Sequence, residues 1–537
     1  MNVRKLLDWR KFLIYTHRWM GIFFGIVFIV WFLSGMIFVY VGMPNVSTRE
    51  KLGHVPPIDL STARFSPAEA AEKNNLDTGR LKIEMFYDGR PIYRFGNTKI
   101  YADSGEPVPG VNALQALDVI RKWAPQYAST VKYDGYLEDS DQWTLQQAQR
   151  QFMPLHRISI GDPAGTNYYV SEGTGEIVMK TDARGRFWGW WSAVLHWTYF
   201  TPFRRHTELW DFVITWGSIV GALMCLGGMI IGVWRLSPSR RFRIKGEKAY
   251  SPYSGWMWWH HYAGLVFGFL SFTWAFSGAL SLGPFQSLRQ GPVTQEQRRA
   301  VAGQRITMEN LTLDRLRAAL AVFAPKFTPK DMEFLQFRGE PYFIGYAPPG
   351  AYNYADEIGA NAERIERVRE HLIVSALHPE RGSFTRFDDE TMEKIAQEAM
   401  PGVEVVDSVW LREYDNYYYN QNGERALPVL RVRYNDPKAT WLYLDPFHGA
   451  MLKQERGSRW NRWLYKGFHD LDFPFLYYSR PLWDIVIIVF SLGGIALAAT
   501  TLVPSYRRLV RHAKRFGKYV IRMSSSKRAP QIPVSGD

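Results

Sequence analysis

Four long apolar runs constrain this chain more than anything else in it. Trp19–Met43 has 25 consecutive residues without Asp, Glu, Lys or Arg, Phe212–Trp234 has 23 and Ile485–Tyr506 has 22. A further run lies within Ala249–Leu288, with its apolar centre near Trp256–Leu282. As a helix, each is long enough to cross about 30 Å of hydrocarbon, which takes about 20 residues. Trp and Tyr gather at the ends of these runs, as they do where side chains sit between lipid and water. The runs predict four transmembrane helices, at 12–43, 208–234, 256–282 and 482–506.

Charge sets their orientation. The net charge of +14 would suit a nucleic-acid partner, but its placement argues against one. Residues 1–11, 235–255 and 507–537 together hold 19 of the 65 Lys and Arg and 3 of the 51 acids, which leaves 46 basic and 48 acidic residues elsewhere. All the excess positive charge therefore abuts apolar runs. Short positive segments stay in the cytoplasm, so these three pieces are predicted to be cytoplasmic. The long segments 44–207 and 283–481 then lie on the other side. The first span is too long for a signal peptide and lacks a small-residue cleavage site, so it reads as an uncleaved anchor. The Ser/Lys/Arg/Pro tail after about 520 reads as a disordered, lipid-facing basic end.

The single cysteine, Cys225, rules out a disulfide, a CxxC zinc site, cysteine-held iron–sulfur clusters and covalent CxxCH haem attachment. The two long segments read as α+β. In the first, Ser66 and Pro67 open a short helix. Strands follow at 81–87, 91–95 and 99–103, a helix begins near Asn112, and further strands lie near 129–134, 152–159 and 166–171. The second has helices near 312–323 and 391–399, and strands near 332–337, 341–347, 403–412, 427–434 and 439–444.

The chain is also duplicated. The first span reads His17-x3-Gly21-x3-Gly25-x5-Trp31-x2-Ser34-Gly35, and the third reads His260-x3-Gly264-x3-Gly268-x5-Trp274-x2-Ser277-Gly278. His196 precedes Trp210-Asp211, Ser218 and Gly221 by the same spacings that separate His469 from Trp483-Asp484, Ser491 and Gly494. Asp162-Pro163 and Tyr169 match Asp436-Pro437 and Tyr443. Two halves running the same way through a membrane imply a pseudo-twofold axis along its normal.

Such an axis would bring His17 towards His260 near the cytoplasmic face, and His196 towards His469 near the outer face. An ionisable side chain inside a span is costly and marks function by default. Residues four apart share one helix face, so each of His17 and His260 stands in line with two glycines, Gly21 and Gly25 or Gly264 and Gly268. A ligand beside two missing side chains leaves a flat slot, and imidazole is a common axial ligand of haem iron. Gly-x3-Gly is also a helix-packing motif. The four histidines are thus candidate axial ligands of two haems, and the four glycines candidate slot residues. His261 is a second candidate beside His260, although the repeat register points to His260. Arg18, Arg205 and Arg480 could pair with haem propionates or simply snorkel to the interface. Trp210-Asp211 and Trp483-Asp484 read as helix starts, Asp415–Asn420 as an aromatic strand or turn, and the remaining histidines as surface or structural.

The opening His17-Arg-Trp-Met-Gly21, its partner His260-His-Tyr-Ala-Gly264 and the four-span layout resemble the PepSY-associated transmembrane family of iron-regulated membrane proteins, which includes inner-membrane ferric-siderophore reductases. The resemblance covers nearly the whole chain apart from its cytoplasmic tails. It implies a membrane α-helical protein with four transmembrane helices, large periplasmic α+β PepSY-like domains and a two-fold internal repeat. It implies two haem b groups, electron transfer and an oxidoreductase that reduces a ferric siderophore in iron acquisition. The cytoplasmic pieces are too short for a flavin or nicotinamide domain, and no Gly-x-Gly-x-x-Gly follows a strand, so the donor would be a separate cytoplasmic protein or a quinol. PepSY-like units elsewhere bind or restrain peptidases, so the alternative is a non-enzymatic membrane protein that binds or regulates a periplasmic peptidase or another partner. Four spans with few buried charges make a transporter the weaker reading.

Overall fold

The apolar runs form four long helices in a computed structural model, which describes residues 9–76, 81–304, 311–348, 369–419 and 425–526. They are α1 (Trp9–Phe38), α2 (Thr207–Arg235), α3 (Trp256–Leu280) and α4 (Leu482–Ser526). All four are long and apolar enough to cross a membrane. The chain divides into two compact units. The helical unit comprises residues 1–38, 208–284 and 464–537, and the strand-rich unit comprises 39–207 and 285–463.

In the helical unit α4 packs against α1 and α3. Its centre is aromatic and small: Phe24, Phe28 and Phe32 are buried with Ala222, Met224, Cys225, Ala275 and Ala498. Two register-matched glycines make room for the rings. A Cβ on Gly221 would meet Phe28 at 3.3 Å, and one on Gly494 would meet Phe32 at 2.6 Å. The last helix runs well past the expected end at 506. It carries Pro504 within it and continues through the basic residues to Ser526. The residues after Pro504 include Arg, Leu, Lys and Ala, which favour a helix, and one proline removes only one backbone donor. The tail beyond Ser526 lies outside the described residues.

Among the described residues the strand-rich unit holds three antiparallel sheets. In the seven-stranded one the order is 383–384, 371–375, 340–346, 331–337, 81–85, 91–95 and 98–101. Its seam pairs Leu81–Met85 with Asp331–Phe337, with Ile83 opposite Met332. The two long segments thus share one sheet, which the sequence reading treated as separate regions. Each segment builds a hairpin with an open edge, and pairing the edges removes unsatisfied backbone groups from both. The other two sheets are four-stranded meanders, residues 132–181 and 405–454. Each buries a tyrosine on its third strand, and the hydroxyl donates to a turn aspartate: Tyr169 to Asp141 at 2.9 Å and Tyr443 to Asp415 at 2.8 Å. Asp415 also accepts from the backbone N–H of Tyr417 and Tyr418 at 2.8 and 2.7 Å, so the aromatic run starts as a side-chain-stabilised turn. Helices Ala113–Trp123, capped by Asn112, and Asp389–Glu398, capped by Asp388, begin where polar caps precede apolar periodicity.

The first segment buries an ion network. The Lys99 side chain is 3% exposed and lies 3.0 Å from Glu176, which also pairs with Arg94. Arg94 in turn pairs with Glu84. Burial by itself would raise the Glu176 carboxyl, but Lys99 and Arg94 hold it down at about 2. A carboxylate depressed in the folded state stabilises fully above its unfolded value of about 4.3, and that contribution drains away as pH falls towards 2. Glu176→Gln removes the carboxylate beside the buried Lys99 amine, so the unit should lose about 3 kcal/mol at neutral pH. Thermal melts at pH 7 and pH 3 check this. The variant should melt lower at pH 7, and its deficit should shrink on acidification.

Candidate functional site

Within the helical unit the imidazoles of His17 on α1 and His260 on α3 face one another. Their ring centres are 6.2 Å apart and their planes differ by 35°. The Nδ1 of His17 donates to the Met224 carbonyl at 3.0 Å. The Nδ1 of His260 lies 3.4 Å from the Leu497 carbonyl and 3.1 Å from the Thr500 Oγ1. A carbonyl can only accept, so both rings carry their proton on Nδ1 and keep a lone pair on Nε2. Met224 lies 14 residues after Trp210 and Leu497 lies 14 after Trp483, so the two acceptors occupy the same register in the two halves.

Two metal–nitrogen bonds of about 2 Å, each extended by an imidazole radius of about 1.1 Å, put two ring centres roughly 6 Å apart across one metal ion. The observed spacing matches. Two imidazoles at this spacing could hold a haem, which would supply one-electron chemistry there. The hydrogen bond behind each ring is the usual second partner of a ligating histidine and raises its basicity.

His261 is committed elsewhere. It is 5% exposed, its Nδ1 is 2.8 Å from the Ser251 hydroxyl and its Nε2 is 2.8 Å from the Gly232 carbonyl. With both nitrogens in use, His261 has no lone pair to offer, which leaves His260 as the candidate ligand of the two.

The four glycines divide into two kinds. A Cβ on Gly21 would meet nothing within 4 Å, and one on Gly264 would meet only Leu497 Cδ1 at 3.7 Å. These two lie one turn from the imidazoles and leave room beside them. A Cβ on Gly25 would meet Thr501 Oγ1 at 2.8 Å, and one on Gly268 would meet Met229 at 3.3 Å. The space beside this second pair is filled by neighbouring helices, so these two glycines serve helix contact.

Gly228 on α2 was not singled out from sequence. A Cβ there would lie 2.5 Å from His17 Cε1 and 3.2 Å from each ring nitrogen, so the imidazole rests against bare backbone. Gly228→Ala should push the His17 ring off its carbonyl and, for a haem held by this pair, weaken binding by 10–100-fold, the usual cost of disturbing a ligand's support. Titrating haem into the purified apoprotein measures the loss.

The other histidine pair is divided between the units: His196 belongs to the strand-rich unit and His469 to the helical unit. His469 has the same kind of support as the first pair. Its Nδ1 is 3.0 Å from Ser277 Oγ, and that hydroxyl donates onward to the Trp274 carbonyl at 3.2 Å. The ring of Tyr465 lies 5.6 Å away. Both histidines closely follow a π-helical turn, at Trp190–Val194 and Arg462–Gly467, a rare conformation often found at functional sites. Inside the strand-rich unit, the turns that hold the buried tyrosines also tie down these stretches. Gln142 donates to the Tyr199 carbonyl at 2.6 Å and Arg205 donates to the Ser140 carbonyl at 2.6 Å. In the second half Arg462 donates to the Asn416 carbonyl at 2.8 Å and Trp463 to the Tyr417 hydroxyl at 3.0 Å.

The candidate propionate partners have protein partners of their own. Arg205 pairs with Asp139 at 3.1 Å, Arg480 pairs with Asp484 and lies over the Trp483 ring, and Arg18 lies over Tyr15. Other histidines are similarly engaged: His54 stacks on Trp123, His156 bonds the Val111 carbonyl, and His448 pairs with Asp445. No protein-family model matches the chain, and no curated protein is significantly similar to it.

Proposed function

We propose that the protein is a haem b electron-transfer protein of the bacterial inner membrane that reduces a ferric chelate, such as a siderophore, on the periplasmic side. The observation that carries this reading is the His17–His260 pair, with ring centres 6.2 Å apart and both Nδ1 positions committed to protein acceptors. Held by His17 and His260, haem would supply one-electron exchange between ferric and ferrous iron, which suits electron transfer. The chain's own part is to hold the two rings in line, fix their protons on Nδ1 and exclude water with the buried Phe24, Phe28 and Phe32.

The duplication suggests a second centre with His196 and His469 as its candidate ligands, and within the helical unit the Ser277 contact behind His469 supports a ligand role for that imidazole. With the basic segments in the cytoplasm, the first pair lies near the donor side and the second near the periplasm. The strand-rich unit would present the chelate. Hard oxygen chelators hold the smaller, more highly charged Fe(III) more tightly than Fe(II), so reduction releases the metal. The donor is a separate cytoplasmic protein or a quinol.

An absorption spectrum of the purified protein tests the proposal. The expected result is a b-type reduced spectrum with two haems per chain. A folded, colourless preparation would overturn it and favour a non-enzymatic PepSY-like protein that binds a periplasmic peptidase or other partner. All four histidines could then be replaced without a phenotype.

A further inference from the structure

The two halves support the first histidine pair alike on one side and differently on the other. Both imidazoles are backed by a register-matched carbonyl, Met224 for His17 and Leu497 for His260. Three residues further along, the halves differ: α2 has Gly227 and α4 has Thr500. Thr500 is 9% exposed. Its hydroxyl donates to the Leu497 carbonyl at 2.6 Å, which leaves an oxygen lone pair facing the His260 Nδ1–H at 3.1 Å. Gly227 has no side chain to place behind His17, and Leu13 Cδ1 lies 3.3 Å from where its Cβ would be.

We infer that Thr500 is a positioning residue that makes the two axial imidazoles of the inner site unequal, fixing the ring plane of His260 and strengthening its donation to the iron. The inference rests on the haem reading of the site and adds to it. The physical argument has two parts. A single acceptor leaves a ring free to swing about its Cβ–Cγ bond, whereas two acceptors on different atoms define one plane. A hydroxyl that already donates to a carbonyl is polarised and becomes a better acceptor, so it draws harder on the Nδ1–H and makes Nε2 more basic. A more basic ligand favours ferric over ferrous iron, so Thr500 should hold the midpoint potential of this site down. The 35° between the planes is far from perpendicular, and its spectroscopic mark is a rhombic low-spin ferric signal in place of the highly anisotropic one given by crossed imidazoles.

The test compares Thr500→Val with Thr500→Ser, each in a His469→Ala background that isolates the inner site. Valine keeps the shape and loses the hydroxyl; serine keeps the hydroxyl and loses the methyl. The readouts are haem per chain, midpoint potential by spectroelectrochemistry and the ferric paramagnetic resonance spectrum. The expected result is a positive shift in potential and a changed rhombicity in the valine variant, with serine matching the parent. Loss of inner haem in the valine variant alone would also support the inference, because only the hydroxyl separates it from the parent. A valine variant with full haem and parental potential and spectrum overturns it while leaving the haem reading intact. Loss of haem in both variants overturns it too, by showing that side-chain volume is what matters. Absence of haem from the unmodified protein defeats the functional reading itself.

Discussion

His17→Ala is expected to remove about half of the haem from the purified protein and to abolish electron delivery from the cytoplasmic side. The imidazole supplies one of only two protein bonds to the proposed iron, and nothing nearby can replace it. His261, the neighbour of His260 in sequence, has both nitrogens engaged by Ser251 and Gly232. The substitution also removes the second donor from the Met224 carbonyl, which keeps its helical N–H partner, and the gap cannot close because Gly228 offers no side chain to fill it. The haem-to-protein ratio by pyridine haemochrome measures the result, and added imidazole should restore part of the spectrum by occupying the gap. His260→Ala should behave the same way. His261→Ala is the discriminating control: it should lower thermal stability while retaining two haems. A full complement of haem in His17→Ala would sink the assignment of the inner pair.

How much of this was legible beforehand depends on what each feature is made of. The four helices were readable because hydrocarbon demands a charge-free run of sufficient length, and composition records that directly. The paired histidines were readable because a duplicated sequence carries its own comparison, with His17 and His260 in one register. The acceptors behind them were not, since a backbone carbonyl belongs to every residue and Met224 and Leu497 carry no chemical signature. Thr500 and Gly228 could have been found only by asking where the two halves differ, at 227 against 500 and 228 against 501. At Gly25 and Gly268 spacing alone could not show what lies beside the helix: both stand in line with the histidines, and a Cβ there would meet Thr501 and Met229. The shared seven-stranded sheet was hidden for a different reason. Pairing of Leu81–Met85 with Asp331–Phe337 joins strands about 250 residues apart, and edge-to-edge pairing leaves no local pattern in either strand.

His469→Ala carries the second large effect, and it separates holding electrons from delivering them. The inner pair does not use His469, so the variant should keep one haem with an unaltered reduced spectrum and should still fill with electrons from the cytoplasmic side. Delivery to the proposed ferric chelate should fall by at least 100-fold, because the remaining centre would lie a helix length from His469. The distance follows from α3: His260 and Ser277, the residue that holds His469, are 17 residues apart, or about 26 Å at the rise of an α-helix. Trapping ferrous iron with a colorimetric chelator in right-side-out vesicles measures delivery, and the vesicle spectrum measures filling. Ser277→Ala should fall between the parent and His469→Ala, with a 10–100-fold loss typical of removing a ligand's hydrogen-bonded support, because His469 keeps its imidazole but loses the contact that fixes its Nδ1. An undiminished rate of ferrous iron release in His469→Ala, with two haems still bound, would place the outlet elsewhere in the molecule.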